Sequence, residues 1–282
     1  MNPAPGRLRA ESLTLGYDGR DIIRDLSLTV PRAQVTAVIG PNGCGKSTLL
    51  RGLGRLLAPR SGQVTLDGKP LPRLSTRYIA TQISLLPQTP AAPPGLSVAD
   101  LVSRGRHPRQ KWYQQFSSAD QSVVRDALEA TGMLDLADTP VEELSGGQRQ
   151  RAWISMILAQ ETEILLLDEP TTYLDLAHQV ELLELIRRLN RDHARTVVMV
   201  LHDISLAARY SDHIVAMKGG RIIARGHPAE VITAERLQDI FGLSAHVVPE
   251  PVAGRPHVIP LGSSGPAGSS PAPGAAVAAA RN

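Results

Sequence analysis

The stretch Gly40-Pro41-Asn42-Gly43-Cys44-Gly45-Lys46-Ser47-Thr48 constrains this chain more than any other. It fits the pattern G-x-x-x-x-G-K-[ST] in the context that pattern needs. The apolar run Val35 to Ile39 reads as a buried strand leading in, and Lys46 to Arg51 as a helix leading out. Between them three glycines let backbone N–H groups close around phosphate oxygens with no Cβ in the way. The helix N-terminus adds partial positive charge. Lys46 would reach the β/γ-phosphates and Ser47 would offer a hydroxyl to Mg²⁺. The chain holds 30 Lys and Arg but only four lysines (46, 69, 111 and 218), so lysine at 46 is not simply the default base.

Composition narrows the remainder. With 282 residues, 42% of them apolar, the chain has material for one large or two modest domains and a substantial core. A formal charge of +3 is thinly spread, so no nucleic-acid partner is indicated. The densest basic segment, Arg104 to Lys111, reads either as a solvated loop or as a docking element. A single cysteine, Cys44, excludes an internal disulfide and a cysteine metal cluster. Inside the phosphate loop it reads as a small packing residue. Met1 to Arg7 lacks the apolar core of a secretion signal. The longest apolar run, Ala275 to Ala280, is far short of the ~18–20 residues that span a bilayer. The expectation is a protein soluble by itself, reaching any membrane through partners.

Taken in order, Leu13, Leu15 and Tyr17 alternate with polar residues as a half-exposed strand, and Ile22 to Val30 forms a second. Tyr17 lies 23 residues before Gly40 and could stack on a purine base or be an ordinary strand tyrosine; spacing leaves both open. A helix is expected from Lys46 to about Leu57, then strands at Gln63 to Leu66 and Ile83 to Leu86. After the breaker cluster Ala91 to Gly95 the pattern turns helical. Ser97 with Asp100 reads as one cap, and Ser118 with Gln121 as a capping box for Ala119 to about Thr131. Strand character returns at Ile164 and alternates with helices to about Phe241. This predicts an α/β domain over residues 1–248, with a mostly parallel sheet and an antiparallel N-terminal β region. Its core spans about 7–88 and 151–248, interrupted by a helical subdomain at about 89–150. Residues 249–282, rich in Pro, Gly, Ser and Ala, read as a disordered tail.

A second constellation ends the Ile164–Leu167 strand. Two adjacent carboxylates there, Asp168 and Glu169, are costly unless a cation sits opposite. Mg²⁺ shared with Ser47 would answer for Asp168, leaving Glu169 to act as general base. Ser145, Gly146, Gly147 and Gln148 open a further helix and make a second anion-binding terminus. One chain would thus hold two phosphate cradles but one carboxylate pair.

The chain resembles the ABC-type ATPases over about residues 8 to 245. Gly40–Thr48 is similar to that family's phosphate loop, Gln88 to its glutamine loop, Leu144–Gln148 to its signature and Leu165–Pro170 to its metal-and-base strand. Thr172–Asp175 is similar to the loop bearing an inter-subunit aspartate, His202 to the switch histidine and Tyr17 to the stacking aromatic. The resemblance implies a P-loop domain of ABC type that binds and hydrolyses ATP with Mg²⁺. It implies that Ser47, Gln88 and Asp168 hold the metal, and that Glu169, His202, Lys46 and Gln88 serve catalysis. It also implies a homodimer in which Ser145 to Gln148 and Asp175 close the partner's site.

More finely, the chain resembles the ATPases of ferric-siderophore importers, with heme and cobalamin systems as near relatives. The segments that carry this are Gly40 to Arg51, Arg104 to Arg106, Gln148 to Ile154 and Thr172 to Gln179. His107 and Arg109 stand where that branch usually has tyrosine and histidine. The implied assembly docks on two membrane permease subunits at the cytoplasmic face of the cell membrane. An extracytoplasmic substrate-binding protein would deliver an iron chelate. ATPases for other cargo (heme, cobalamin, manganese or zinc) and non-transport ATPases of the same family are the alternatives.

Overall fold

A computed structural model describes residues 6–110, 116–172 and 174–263. Tyr173, Lys111 and the chain beyond 263, which figure in the expectations above, lie outside them. The long hairpin of β1 (Leu8–Tyr17) and β2 (Arg20–Thr29) opens the chain, turning at Asp18-Gly19. Then come β3 (Val35–Ile39), α1 (Lys46–Leu53), β4 (Ser61–Leu66), the short β5 (Lys69–Pro70), α2 (Thr76–Gln82) and β6 (Ile83–Leu86). The helical insertion carries α3 (Val98–Ser103), α4 (Ser118–Ala130) and α5 (Gly146–Ala159). The chain continues through β7 (Ile164–Leu167), α6 (Leu176–His193), β8 (Thr196–Val200), α7 (Ile204–Tyr210), β9 (His213–Lys218) and β10 (Arg221–Gly226). It closes with α8 (Pro228–Val231), α9 (Ala234–Phe241), β11 (Leu243–Pro249) and β12 (Pro256–Ser263).

Among the described residues, an antiparallel sheet in the order β2-β1-β4-β5 faces a six-stranded sheet in the order β10-β9-β3-β8-β7-β6. The larger sheet is parallel apart from β10. Strand alternation sorts its residues into two cores. Val38, Val198, Val200, Val215 and Met217 join Leu49, Leu50 and Leu53 of α1 beneath the antiparallel sheet. Val35, Ala37, Ile39, Leu165 and Leu167 face the other way, into a core shared with the helical insertion and α6. β3, β7 and β8 are buried along their whole length, so their carboxyl ends meet at a rigid edge where the chemistry-bearing residues emerge.

Four expectations need correction. α1 ends at Leu53 rather than near Leu57, because Gly54 and a left-handed Arg55 stop it. The capping box of α4 is Ser117 with Asp120, one residue earlier than Ser118 with Gln121; the Ser117 hydroxyl accepts the Asp120 N–H at 3.1 Å. The boundary at 150 cuts through α5, whose Trp153, Ile154 and Ile157 pack into the core it shares with α3 and α4. The expected disorder after Pro249 is overturned as far as residue 263. Pro256 and Pro260 are tolerated in β12 because a two-stranded ribbon has only edges, and the Val258 N–H donates to Ser205 Oγ on α7 at 3.1 Å.

The basic segment after α3 is also settled in part. Arg106 is buried and donates to Asp120 (2.9 Å), the Ala159 carbonyl (2.6 Å) and Glu161 (2.6 Å), tying α3, α4 and the end of α5 together. It is a structural ion pair, not a solvated loop residue.

Candidate active site

The loop from β3 to α1 is built on backbone geometry. Gly45, the N-cap of α1, has φ 104°, and a Cβ on Gly40 would collide with the Met217 carbonyl oxygen and Cys44. Those conformations suit glycine alone. The Cys44 carbonyl accepts the Gly220 N–H at 3.0 Å, which pins the loop to the β9–β10 turn. Burial pushes the Cys44 thiol up, so it stays protonated and packs as a small apolar group. Lys46 is 5% exposed and bends its ammonium back onto the Gly40 (2.8 Å) and Pro41 (3.1 Å) carbonyls.

Next to this loop opens a cleft of about 550 Å³, lined by Tyr17, Ile22, Asn42, Gly43, Gly45, Lys46, Ser47, Thr48, Gln88, Glu169 and His202. Residues far apart in sequence thus share one wall. Tyr17, 38% exposed, stands at the mouth, and Arg51 donates to its hydroxyl at 3.3 Å. The Arg51 contact and Ile22 carried no sequence signal, because only the approach of β1 and β2 to α1 creates them.

Behind the cleft Ser47 Oγ donates to Asp168 Oδ1 at 2.9 Å. Asp168 is 2% exposed, and burial together with the neighbouring Glu169 charge raises its pKa against the pull of Ser47, Arg51 and Lys46. A carboxylate so desolvated is costly without a nearby cation. Hard oxygens from Asp168, Ser47 and Gln88 suit Mg²⁺ rather than a softer ion. The described residues hold no group of three His, Cys, Asp or Glu fit for a metal.

Glu169 follows Asp168 with φ 51°, a left-handed backbone costing about 1–3 kcal/mol for a non-glycine residue. Its carboxylate is held on both oxygens. His202 Nε2 meets Oε1 at 2.7 Å; Gln88 Nε2 donates to Oε2 at 2.6 Å and Thr172 Oγ1 donates to it at 3.2 Å. Burial alone would raise this carboxyl, but His202, Gln88 and Thr172 outweigh it and hold it below the ordinary glutamate range. The group is ionised, strained into place and aimed at the cleft. The hydroxyl of Thr172 was part of a loop read as a unit; its separate contact with Glu169 had no signal in spacing.

Ser145, Gly146, Gly147, Gln148 and Asp175 do not reach this cleft. Ser145 caps α5: its hydroxyl accepts the Gln148 N–H at 3.2 Å and the Gln148 side chain accepts the Ser145 N–H at 3.0 Å. Asp175 caps α6, and its Oδ1 accepts both the His178 N–H (2.9 Å) and a contact from His178 Nδ1 (2.6 Å). Both tips are exposed, and the loop leading to Asp175 lays Leu174 against Gly147. A larger cleft, about 790 Å³, lies in the helical insertion between α3 and α4, with half-exposed Phe116 and Leu134 on its rim. It has no phosphate-cradling loop, so the chemistry belongs to the smaller cleft.

Comparison with known proteins agrees. Residues 23–172 match the ABC transporter family model. The chain is 52% identical over 255 residues to the probable siderophore transport system ATP-binding protein YusV of Bacillus subtilis, covering 90% of this chain and 93% of that one. It is 48% identical over 266 residues to the ferric enterobactin transport ATP-binding protein FepC of Escherichia coli, covering 94% and 98%. Among solved structures it is similar to a transporter described as metal-chelate type ABC in an inward-facing conformation (TM-score 0.78, 28% identity, 92% and 98% covered). It is also similar to the dimeric, post-hydrolysis cassette MJ0796 bound to ADP and Pi (TM-score 0.71, 25% identity, 78% and 98% covered).

Proposed function

We infer the function from the premise that this chain belongs to the ABC transporter family: it is the ATP-binding, ATP-hydrolysing subunit of a siderophore or iron-chelate importer. Such cassettes pair and work within transporter complexes. No described helix is long and apolar enough to cross a membrane; the spanning part would be supplied by other subunits.

The roles of individual residues are our reading, supported by one observation above all. Lys46, Ser47, Gln88, Glu169 and His202 line one cleft, with Asp168 bonded to Ser47 just behind it. ATP entering it would stack its base on Tyr17 and lay its phosphates in the Gly40–Thr48 loop. Lys46 would leave the Gly40 and Pro41 carbonyls for the β/γ-phosphates, an exchange of two neutral acceptors for stronger, charged ones. Ser47, Gln88 and Asp168 would hold Mg²⁺, which supplies charge neutralisation to the phosphates. Glu169 takes the proton of the attacking water as its oxygen bonds to the γ-phosphorus and the bond to the β–γ bridging oxygen breaks. His202 holds the γ-phosphate in line.

The self-capped tip at Ser145 to Gln148, with Asp175 beside it, would close the nucleotide of a second copy. That reading accounts for two phosphate-binding termini and a single carboxylate pair. The cleft between α3 and α4 would seat one of two permease subunits, with cargo arriving from an extracytoplasmic binding protein. Its exposed Phe116 and Leu134 support an apolar partner there. Glu169→Gln tests the centre of this reading: nucleotide binding should persist while turnover nearly vanishes. Hydrolysis at the parent rate would remove Glu169 from the base role.

A further inference from the structure

Glu142 takes no part in the chemistry described, yet it is bonded on one side to the loop that follows Gln88 and on the other to the first turn of α5. It lies in the short 3₁₀ turn Val141–Glu143, three residues ahead of Ser145. Its carboxylate accepts the Gly95 N–H through both oxygens, at 2.9 and 3.2 Å. Its carbonyl accepts the Arg149 guanidinium at 3.2 Å, and the same Arg149 nitrogen donates to the Leu144 carbonyl at 3.2 Å. Arg149 is in the first turn of α5, so the guanidinium staples the chain entering the Ser145 turn to the helix leaving it.

Gly95 ends the loop that begins at Gln88, the residue whose amide holds Glu169. Its φ of +74° aims the N–H at Glu142, and a Cβ there would touch nothing, so backbone direction rather than space calls for glycine. Just beyond, the two segments run side by side. Val141 N–H donates to the Leu96 carbonyl at 2.9 Å, Val98 N–H to the Thr139 carbonyl at 3.0 Å, and Ser97 and Pro140 form a β-bridge. The end of the Gln88 loop and the segment leading to the Ser145 turn are thus bonded side by side, and the carboxylate at 142 is a side chain that joins them.

We propose that Glu142 is a positioning residue that couples a chain's own nucleotide site to its signature tip: through Gly95 it receives the position of the Gln88 loop, and through the Arg149 staple it passes that position to Ser145. Each chain's phosphate cleft thereby sets how well its tip fits the partner. The inference rests on the pairing proposed above and adds to it a named side chain.

The test uses the full chain in two backgrounds. In Glu169→Gln protein, light scattering measures ATP- and Mg²⁺-driven pairing; in otherwise parental protein, steady-state hydrolysis gives kcat. Glu142→Ala should weaken pairing and lower kcat about five- to tenfold, the scale of one lost hydrogen bond at an exposed site. The affinity of the unpaired chain for a fluorescent ATP analogue should not move. Glu142→Gln, which keeps an acceptor oxygen for Gly95, should recover most of both, whereas a mere loss of surface charge would not be rescued. On top of Gln88→Ala, Glu142→Ala should lower kcat less than about twofold, since the signal it passes on is already gone. Parental pairing and kcat in Glu142→Ala, no rescue by Gln, or full multiplication of the two defects would each overturn the proposal. If the Glu169→Gln protein itself never pairs, the pairing reading falls and takes this inference with it.

Discussion

The phosphate cleft and the Ser145 tip are both helix N-termini opened by small residues, yet the fold treats them differently. Around the cleft, buried Asp168 and Lys46 are desolvated, and Glu169 is held on both oxygens in a strained backbone. At the tip, Ser145 and Gln148 satisfy one another in open solvent and face no carboxylate or cation of the cleft. The first region has the energetics of a finished site and the second those of an unfinished one. On the function proposed above, this chain would carry a whole base-and-phosphate apparatus but only half of each enclosure.

Breaking the finished side should have the largest effect. Glu169→Gln should lower kcat by about 10²–10⁴ while sparing ATP binding, read from single-turnover kinetics beside a binding titration. Lys46→Ala should instead remove binding itself, shown by loss of a fluorescent nucleotide's signal. Ser145→Arg should spare the binding of nucleotide to one chain yet abolish turnover. Mixing Ser145→Arg chains with Lys46→Ala chains then sharpens the comparison, because a mixed pair holds one intact composite site. Activity should reappear on mixing, and its absence would place both halves in one chain.

Two smaller effects separate chemistry from scaffold. Glu169 is held below the ordinary glutamate range, so it is the charged form that the site favours. Turnover should persist as pH falls to that depressed value and be lost below it. In His202→Ala the acid limb of the rate profile should move upward, toward the ordinary carboxylate value. Arg106→Ala breaks the buried contacts with Asp120, Ala159 and Glu161 and should cost about 3 kcal/mol of stability, seen by denaturant titration, without changing the pH profile.

How much of this was legible in sequence follows from the range of the forces involved. The Gly40–Thr48 loop was readable because its backbone demands particular residue types at fixed positions. Asp168 and Glu169 were readable because paired carboxylates at the end of an apolar strand need a reason to be there. The bonds from Gln88, Thr172 and His202 to Glu169 were not, since they arise only when β6, β7 and β8 align in register. Arg106 looked like one more surface base until its partners, 14 and 55 residues away, were in place. β12 hid behind its prolines, because composition cannot show that α7 offers Ser205 and an apolar face to pack on.

Closure of the unfinished side by a second chain is measured directly by the mass of the ATP-loaded protein in solution. Glu169→Gln protein saturated with ATP and Mg²⁺ should scatter light as twice the 30.2 kDa chain, and adding Ser145→Arg should return it to 30.2 kDa with nucleotide still bound. A nucleotide-saturated Glu169→Gln protein that stays at the single-chain mass, or a doubled mass that survives Ser145→Arg, would contradict it.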